Sequence, residues 1–189
     1  MTARRYWRTV ATSSSAPTNT LKEESPMVTW KQFSEEAPTI AEIFVRRHTA
    51  THNLCLIATT RSDGYPRISP MEPRILEDHL VMVGMQGTTK FQDLARDPRF
   101  CLHTATVDPY VGDGDVKLWA EVRNLADEDF HERFAQDLYE SSGFDVRDEV
   151  FDPFYVADIT GASSIELEDE ELVITIWRPG EGEHVVRKS

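Results

Sequence analysis

The sequence predicts an α+β protein that is mainly β, in which short antiparallel strands form a small barrel decorated with helices. Six or more short apolar segments are separated by turn residues, and the two or three helical segments do not alternate regularly with strands. The 189 residues are 40% hydrophobic, which provides for one sizeable core but hardly for two independent domains. We therefore expect a single domain.

Composition also limits which binding partners and which cellular compartment we expect for this protein. The formal net charge of -13 argues against a nucleic-acid partner, because a duplex binder needs a concentrated basic face. No run of about eighteen apolar residues occurs, so no membrane span is expected. Cys55 and Cys101 stand alone in apolar runs, which indicates neither a disulfide framework nor a zinc site and favours the cytoplasm. The histidines show no paired ligand spacing, so no metal site is expected.

Residues 1–26 differ in composition from the rest of the chain. They are rich in Ser and Thr and poor in apolar residues, which is typical of a disordered tail. Up to position 22 they contain no acid and four basic residues, Arg4, Arg5, Arg8 and Lys22. An organelle transit peptide shares this pattern, but no amphipathic apolar face supports it. Because Met27 opens a segment that resembles a protein start, we interpret residues 1–26 as a start-site extension and residues 27–189 as the folded domain.

Local signals predict the helices and strands in order. Thr29 and Gln32 fit a capping box, and Pro38 separates a first short helix from a second one over 38–48. Further helices are predicted over 88–97 and from the Asp127 cap to Gly143. An exposed loop is expected over 107–115. The predicted strands are 54–60, 66–72, 74–76, 79–84, 100–106, 116–126, 154–160, 163–168 and 171–177.

The strongest functional signal is a potential anion site in the stretch 54–97. Gly87 loosens a turn, Thr88 and Thr89 present hydroxyls and amides at a helix start, and Lys90 lies where it can reach back over them. Alone, this pattern is more typical of an ordinary helix cap with a surface lysine. Arg67 shifts the balance, because a meander of hairpins can place it beside this loop. Two cations and two hydroxyls would then face one phosphate.

The same stretch resembles a known family. It contains Ala-Thr-Thr-Arg-x-Asp-Gly-x-Pro-Arg-x-Ser-Pro, then Leu-Val-Met-Val, then Thr-Lys-Phe-x-Asp-Leu-x-Arg-Asp-Pro-Arg. In this order and spacing, the motifs resemble the pyridoxamine 5'-phosphate oxidase-like, flavin-binding split-barrel superfamily. The resemblance covers roughly residues 30–180, including the strand at 115–118 and the closing Trp177-Arg178-Pro179-Gly180.

The resemblance implies a homodimer of six-stranded antiparallel split β-barrels that binds FMN, or a related deazaflavin coenzyme, in clefts at the subunit interface. The cofactor-binding residues it implies are Arg67 at the phosphate or ribityl chain, the backbone of Ile68, Ser69 and Pro70 along the ring, Val83 and Gly84 lining the pocket, Thr88, Thr89 and Lys90 at the phosphate, and Lys117 and Trp177 reaching the partner's flavin. Thr89 departs from the pattern, since many relatives have Arg there.

The implied function is that of an FMN-binding oxidoreductase that transfers hydride through the flavin to an unknown small molecule. No catalytic acid or base is identified, because the flavin itself carries the hydride. The Arg-x-His substrate signature of true pyridoxamine phosphate oxidases is missing near the C-terminus, which disfavours vitamin B6 oxidation. The alternatives are a deazaflavin-dependent reductase and a non-catalytic flavin- or haem-binding protein. A haem is less expected, because His103 lies in an apolar strand where a hydrogen-bonded core histidine is the commoner state.

Overall fold

The computed structural model describes residues 27–85, 87–106 and 112–189. The predicted tail over 1–26 and most of the predicted loop over 107–115 lie outside these residues. The helices are α1 (Trp30–Glu36), α2 (Pro38–Ala50), α3 (Thr89–Arg96) and α4 (Glu128–Ser142). The strands are β1 (Cys55–Thr60), β2 (Pro66–Met71), β3 (Arg74–Leu76), β4 (His79–Val81), β5 (Arg99–Thr104), β6 (Asp115–Asn124), β7 (Tyr155–Glu168), β8 (Glu171–Arg178) and β9 (Gly182–Lys188). No helix within these described ranges is both long and apolar enough to cross a bilayer.

The nine described strands form one antiparallel sheet. Seven of them follow the order β2-β1-β5-β6-β7-β4-β3, and the other two branch from it, with β8 paired to β7 and β9 paired to β8. The long strand β7 pairs with β6 along most of its length, with β4 near its start and with β8 over its second half. The β3–β4 and β8–β9 hairpins therefore pair with the same edge of β7, the first near its start and the second along its second half. This confirms the mainly β, α+β prediction, with nine strands in the sheet where the barrel alone was expected to have six.

The helix ends follow the predicted capping signals. The Thr29 hydroxyl accepts a hydrogen bond from the Gln32 amide at 3.3 Å, and Pro38 is the first residue of α2. The Asp127 carboxylate caps α4 by accepting from the Phe130 amide at 3.0 Å. Gly143 ends this helix with φ +74°, a left-handed conformation that glycine adopts without strain.

Strand β7 corrects the sequence prediction of two separate strands over 154–160 and 163–168. Gly161 lies inside one continuous strand, and Thr160 forms a bulge where the register with β6 shifts next to Trp119. A Cβ at position 161 would lie 3.4 Å from the Trp119 ring, so the glycine marks close packing and not a break.

Two other strand predictions also need correction. Strand β9 was not predicted, because its exposed His184, Val185 and Lys188 give no apolar alternation that would signal a strand. It forms because it pairs with β8 throughout Gly182–Lys188. Strand β4 ends at Val81 and does not extend to Gly84.

The core lies between the sheet and helices α1 and α2. Trp30 packs against Phe33 and Phe44, and Phe33 meets the buried Trp177 of β8 edge to face at a centroid distance of 5.1 Å. A second apolar cluster lies under α4, where Phe130 and Phe134 pack around Phe154. The aromatic residues of the short helices thus fix the barrel that carries β1 and β2.

We predict that Gly114→Ala destabilises the fold more than Gly143→Ala. Both glycines have positive φ, +76° and +74°, so each alanine variant pays about 1–2 kcal/mol for the left-handed backbone. Only at position 114 would the new Cβ approach Glu166 Cγ within 2.8 Å and Ile43 Cγ2 within 3.0 Å. This crowding adds about 1–3 kcal/mol. Urea unfolding of the two variants measures the difference, and equal free energies of unfolding would contradict the packing described.

Candidate functional site

The β1–β2 hairpin fixes the position of Arg67. A tight turn with Gly64 at φ +84° joins the two strands and places Arg67 opposite Thr59. Because side chains alternate along a strand, Arg67 and Ser69 point to the inner side, with the buried Thr59. Ile68 and Pro70 face the opposite, outer side.

A buried carboxylate on α3 meets Arg67 at this inner side. Asp93 is 3% exposed and accepts a hydrogen bond from Arg67 Nε at 2.6 Å. The same carboxylate accepts from the Thr59 hydroxyl at 3.0 Å and from Arg96 Nη2 at 3.2 Å. Three donors from β1, β2 and α3 therefore share one acceptor, so Asp93 joins the helix to the hairpin.

Hydrogen bonding keeps Asp93 ionised despite its burial. Burial by itself would raise the pKa of Asp93, but donation by Arg67, Thr59 and Arg96 outweighs it and holds the pKa below its ordinary value. The ionised carboxylate therefore stabilises the fold above its unfolded-state pKa, and this contribution is lost as the pH falls through the folded-state pKa.

The first turn of α3 carries the predicted phosphate residues. Lys90 Nζ donates to the Pro70 carbonyl oxygen at 2.6 Å, so the ammonium lies against β2. Burial lowers the pKa of Lys90, and the charge of Glu72 partly opposes this shift. Thr88 is the N-cap residue of α3, but its side chain makes no capping hydrogen bond. Its buried Oγ1 has no hydrogen-bond partner in the described part of the chain.

The loop before α3 carries Val83 and Gly84, two other predicted residues. Val83 packs at the margin of the apolar cluster under α4. A Cβ on Gly84 would lie 3.0 Å from the ring of Phe91, which stacks on Tyr155 at a centroid distance of 6.2 Å. A side chain at position 84 would therefore displace Phe91 in the first turn of α3.

The structure brings Arg67, Pro70, Thr88 and Lys90 together along the contact between β2 and α3, which we call the β2–α3 junction. Ile68, Ser69 and Thr89 belong to the same two elements. Sequence reasoning missed Asp93. The signal for it was the hairpin register, which pairs two polar residues at inward positions and so requires a buried acceptor nearby.

Lys117 and Trp177 lie away from this junction. Lys117 lies on β6, paired with His103 of β5, and donates to the Asp115 carboxylate at 3.4 Å. The Trp177 indole is only 1% exposed in the core of its own chain. The structure therefore does not place either side chain at the junction within one chain.

His103 is already hydrogen-bonded. Its Nδ1 lies 2.6 Å from the Thr104 carbonyl oxygen, and since a carbonyl only accepts, Nδ1 carries the proton and donates. Nε2 lies 3.8 Å from the Asp115 carboxylate. Both ring nitrogens therefore have polar neighbours within the chain.

Lys117 lies on the same side of the sheet as the outward-facing residues of β2. The sheet register places Ile68, Ala58, Cys101 and Trp119 in one row across β2, β1, β5 and β6. The adjacent row contains Pro70, Leu56, His103, Lys117, Ser163 and Ile176. Ile68 is 71% exposed, and Trp119 and Leu56 are more than 40% exposed. We call these two rows the outer face; its large apolar side chains are exposed in the single chain.

Neither of two surface grooves on the described chain contains a predicted cofactor residue. The first, of about 470 Å³, is lined by residues of α1 and α2, among them Trp30 and Val45. The second lies beside the β8–β9 turn near Arg178 and His184. The β2–α3 junction lies outside both grooves.

The donor set at the junction fits a phosphate group. Arg67 and Lys90 are cations, the buried Thr88 hydroxyl has no partner within the described part of the chain, and the free amides of an α-helix start lie alongside. Asp93 brings one negative charge to this set, and Arg96 balances it from the same helix.

Comparison with known proteins supports one family. The family model described as pyridoxamine 5'-phosphate oxidase matches residues 42–170. Comparison with curated proteins gave no match.

Several solved structures share the fold. A pyridoxamine 5'-phosphate oxidase-related, FMN-binding protein from Nostoc punctiforme is 12% identical, with a TM-score of 0.58 over 80% of this chain and 95% of its own. PhzG from Burkholderia lata, solved with tetrahydrophenazine-1-carboxylic acid, is 11% identical, with a TM-score of 0.55 over 82% and 93%. A haem-binding protein from Mycobacterium smegmatis is 14% identical, with a TM-score of 0.50 over 77% and 86%. At these identities the structures show a shared fold.

The family model spans more than half of the chain, and it includes β1, β2, α3 and the outer-face strands β5, β6 and β7. The chain therefore belongs to the pyridoxamine 5'-phosphate oxidase family.

Proposed function

We propose that this protein binds FMN with its phosphate at the β2–α3 junction and acts as a flavin-dependent oxidoreductase on a small molecule. The observation that carries the proposal is the buried hydroxyl of Thr88, beside Lys90 at the start of α3, which has no hydrogen-bond partner among the residues that the structure describes. A buried polar atom without a hydrogen bond is unfavourable, and a phosphate oxygen would satisfy it. The neighbour from Nostoc punctiforme, described as FMN-binding, supports the same cofactor.

In this proposal, different residues of the junction contact different parts of the cofactor. Thr88, Thr89 and Lys90 would hold the phosphate with hydroxyls, helix-start amides and one ammonium, while Arg67 would contact the phosphate or ribityl chain. The backbone of Ile68, Ser69 and Pro70 would lie along the ring, and Val83 and Gly84 would border the pocket. When bound, the flavin supplies the chemistry, by accepting or donating a hydride.

The proposed site is completed by a second copy of the chain. The outer face exposes the large apolar side chains of Ile68, Leu56 and Trp119 and includes β2, and such an exposed apolar patch on a small protein marks an interaction surface. Pairing two copies through this face would cover Ile68, Leu56 and Trp119. It would also bring Lys117 of one copy towards the β2 edge of the other. In such a homodimer, Lys117 of one chain would lie near the flavin held by the other chain, whereas within a single chain Lys117 lies away from the junction.

A deazaflavin coenzyme is the second candidate. Thr89 replaces the arginine of many relatives, and Arg67 already shares its charge with Asp93. The junction thus offers less positive charge to a doubly charged phosphate monoester than a site with a further guanidinium.

Cofactor titration tests the proposed function. We expect the purified protein to show flavin absorbance. If it is purified without cofactor, we expect added FMN or deazaflavin coenzyme to quench its tryptophan fluorescence. We also expect a nicotinamide or deazaflavin donor to reduce the bound flavin. A colourless protein whose fluorescence responds to neither cofactor would contradict flavin binding. A bound flavin that these donors cannot reduce would instead favour a non-catalytic binding protein.

Replacing Lys90 tests the phosphate site itself. We predict that Lys90→Ala weakens FMN binding by about 1.5–3 kcal/mol, the scale of a hydrogen bond to a charged group. Lys31→Ala is the matched control, because Lys31 is an exposed lysine on α1 that pairs with Glu35 and lies away from the junction. Isothermal titration of both variants makes the comparison. FMN affinity that is the same in both would show that Lys90 is merely a surface residue.

Oligomeric state tests the proposed dimer face. We predict that Trp119→Lys raises the dimer dissociation constant at least about tenfold, because it places a charge in an apolar contact. Val45→Lys is the control, since Val45 is equally exposed, at 43% against 44%, but lies on α2. Light scattering over a concentration series measures both. A monomeric wild-type protein, or equal effects of the two variants, would overturn the proposed interface.

A further inference from the structure

We infer that Asp93 is a positioning residue for the anion site, one that aims the Arg67 guanidinium at the cofactor phosphate and couples it to the start of α3. The inference rests on the proposed function, because it concerns the same site. It adds a residue that would not touch the cofactor and would act through Arg67.

Asp93 holds Arg67 through one nitrogen of the guanidinium. The carboxylate engages only Nε, at 2.6 Å, and the two terminal nitrogens of Arg67 have no hydrogen-bond partner among the described residues. A guanidinium is planar, so a bond at Nε fixes the direction of both terminal amino groups. The Arg67 side chain is 30% exposed, which leaves those groups accessible to a ligand.

Asp93 is itself held in place by two further donors. Its side chain is 5% exposed, and Thr59 of β1 and Arg96 of α3 donate to its two oxygens. Arg96 also donates to the Thr60 carbonyl oxygen, which ties the last turn of α3 to the end of β1. The position of Arg67 is therefore set by three elements at once.

Helix α3 also connects Arg67 to the other proposed phosphate donors. Lys90 precedes Asp93 by three residues, so the two side chains project from neighbouring positions on the helix. Lys90 bonds to the Pro70 carbonyl oxygen, and Arg67 and Pro70 belong to the same strand. Helix α3 thus contacts β2 through Asp93 at one point and through Lys90 at another, which holds both cations at one junction.

Positioning and simple electrostatics predict opposite results for the removal of Asp93. Since Asp93 is negative, its loss should tighten anion binding if it acts only as a nearby charge. If it positions Arg67, its loss should weaken anion binding, because the freed guanidinium samples many orientations. The sign of the change therefore separates the two roles.

The experiment compares FMN with riboflavin, which has the same ring and ribityl chain but no phosphate. We expect Asp93→Ala to weaken FMN binding about tenfold, the equivalent of one charged hydrogen bond, and to change riboflavin binding less than about twofold. Asp97→Ala is the matched control, because it also removes one carboxylate, that of the residue that ends α3, and this carboxylate pairs with Arg99 and not with Arg67. We expect its FMN affinity to be unchanged or slightly higher.

A double-mutant cycle shows whether Asp93 acts through Arg67. In an Arg67→Ala background, we expect Asp93→Ala to have almost no further effect on FMN affinity. Equal losses for FMN and riboflavin, tighter FMN binding, or full additivity with Arg67→Ala would each overturn the inference while leaving the proposed function intact. A wild-type protein that binds neither FMN nor riboflavin would overturn both.

A second variant covers the case in which Asp93→Ala does not fold. Arg67→Lys keeps the positive charge and allows an ion pair with Asp93, but a single ammonium cannot hold Asp93 and offer a planar pair of donors to phosphate. We expect it to lose FMN affinity about tenfold with riboflavin affinity retained. Wild-type FMN affinity in this variant would show that the fixed guanidinium is not required.

Discussion

The contact on which the site depends is the buried carboxylate of Asp93. Thr59, Arg67 and Arg96 converge on it from β1, β2 and α3, and together they keep it ionised inside the protein. Removing any one donor leaves part of a buried charge without compensation, which is far less favourable than losing an exposed ion pair. The helix and the hairpin are thereby fixed relative to each other, and the junction between them has a defined shape.

The rest of the fold serves to present this junction. The aromatic core of α1, α2 and β8 fixes the inner side of the sheet, where Trp177 is fully enclosed. The outer face of the same sheet remains apolar and exposed, and β2 belongs to both surfaces because its side chains alternate. The phosphate site proposed at the edge of β2 would therefore lie next to the surface proposed for a second subunit. This arrangement explains how a cofactor held by one chain could meet Lys117 of the other.

Local signals in the sequence predicted much of the fold. The caps at Thr29 and Asp127, the proline start of α2 and the hairpin turn at Gly64 each depend on a few neighbouring residues. Strand β9 and the continuity of β7 could not be predicted, because both depend on pairing with distant strands. The site divides in the same way: the helix-start motif Gly87–Lys90 is visible in the sequence, whereas the role of Asp93 appears only when Thr59 and Arg67 are brought beside it.

The proposed role of the junction can be observed directly in a crystal structure of the protein grown with FMN. The account predicts that the phosphate accepts hydrogen bonds from the Thr88 hydroxyl, from Lys90 and from the terminal nitrogens of Arg67, while Asp93 keeps its bond to Arg67 Nε. It also predicts that the ring lies between two copies of the chain. A phosphate bound elsewhere, with the Thr88 hydroxyl still unpartnered, would contradict it.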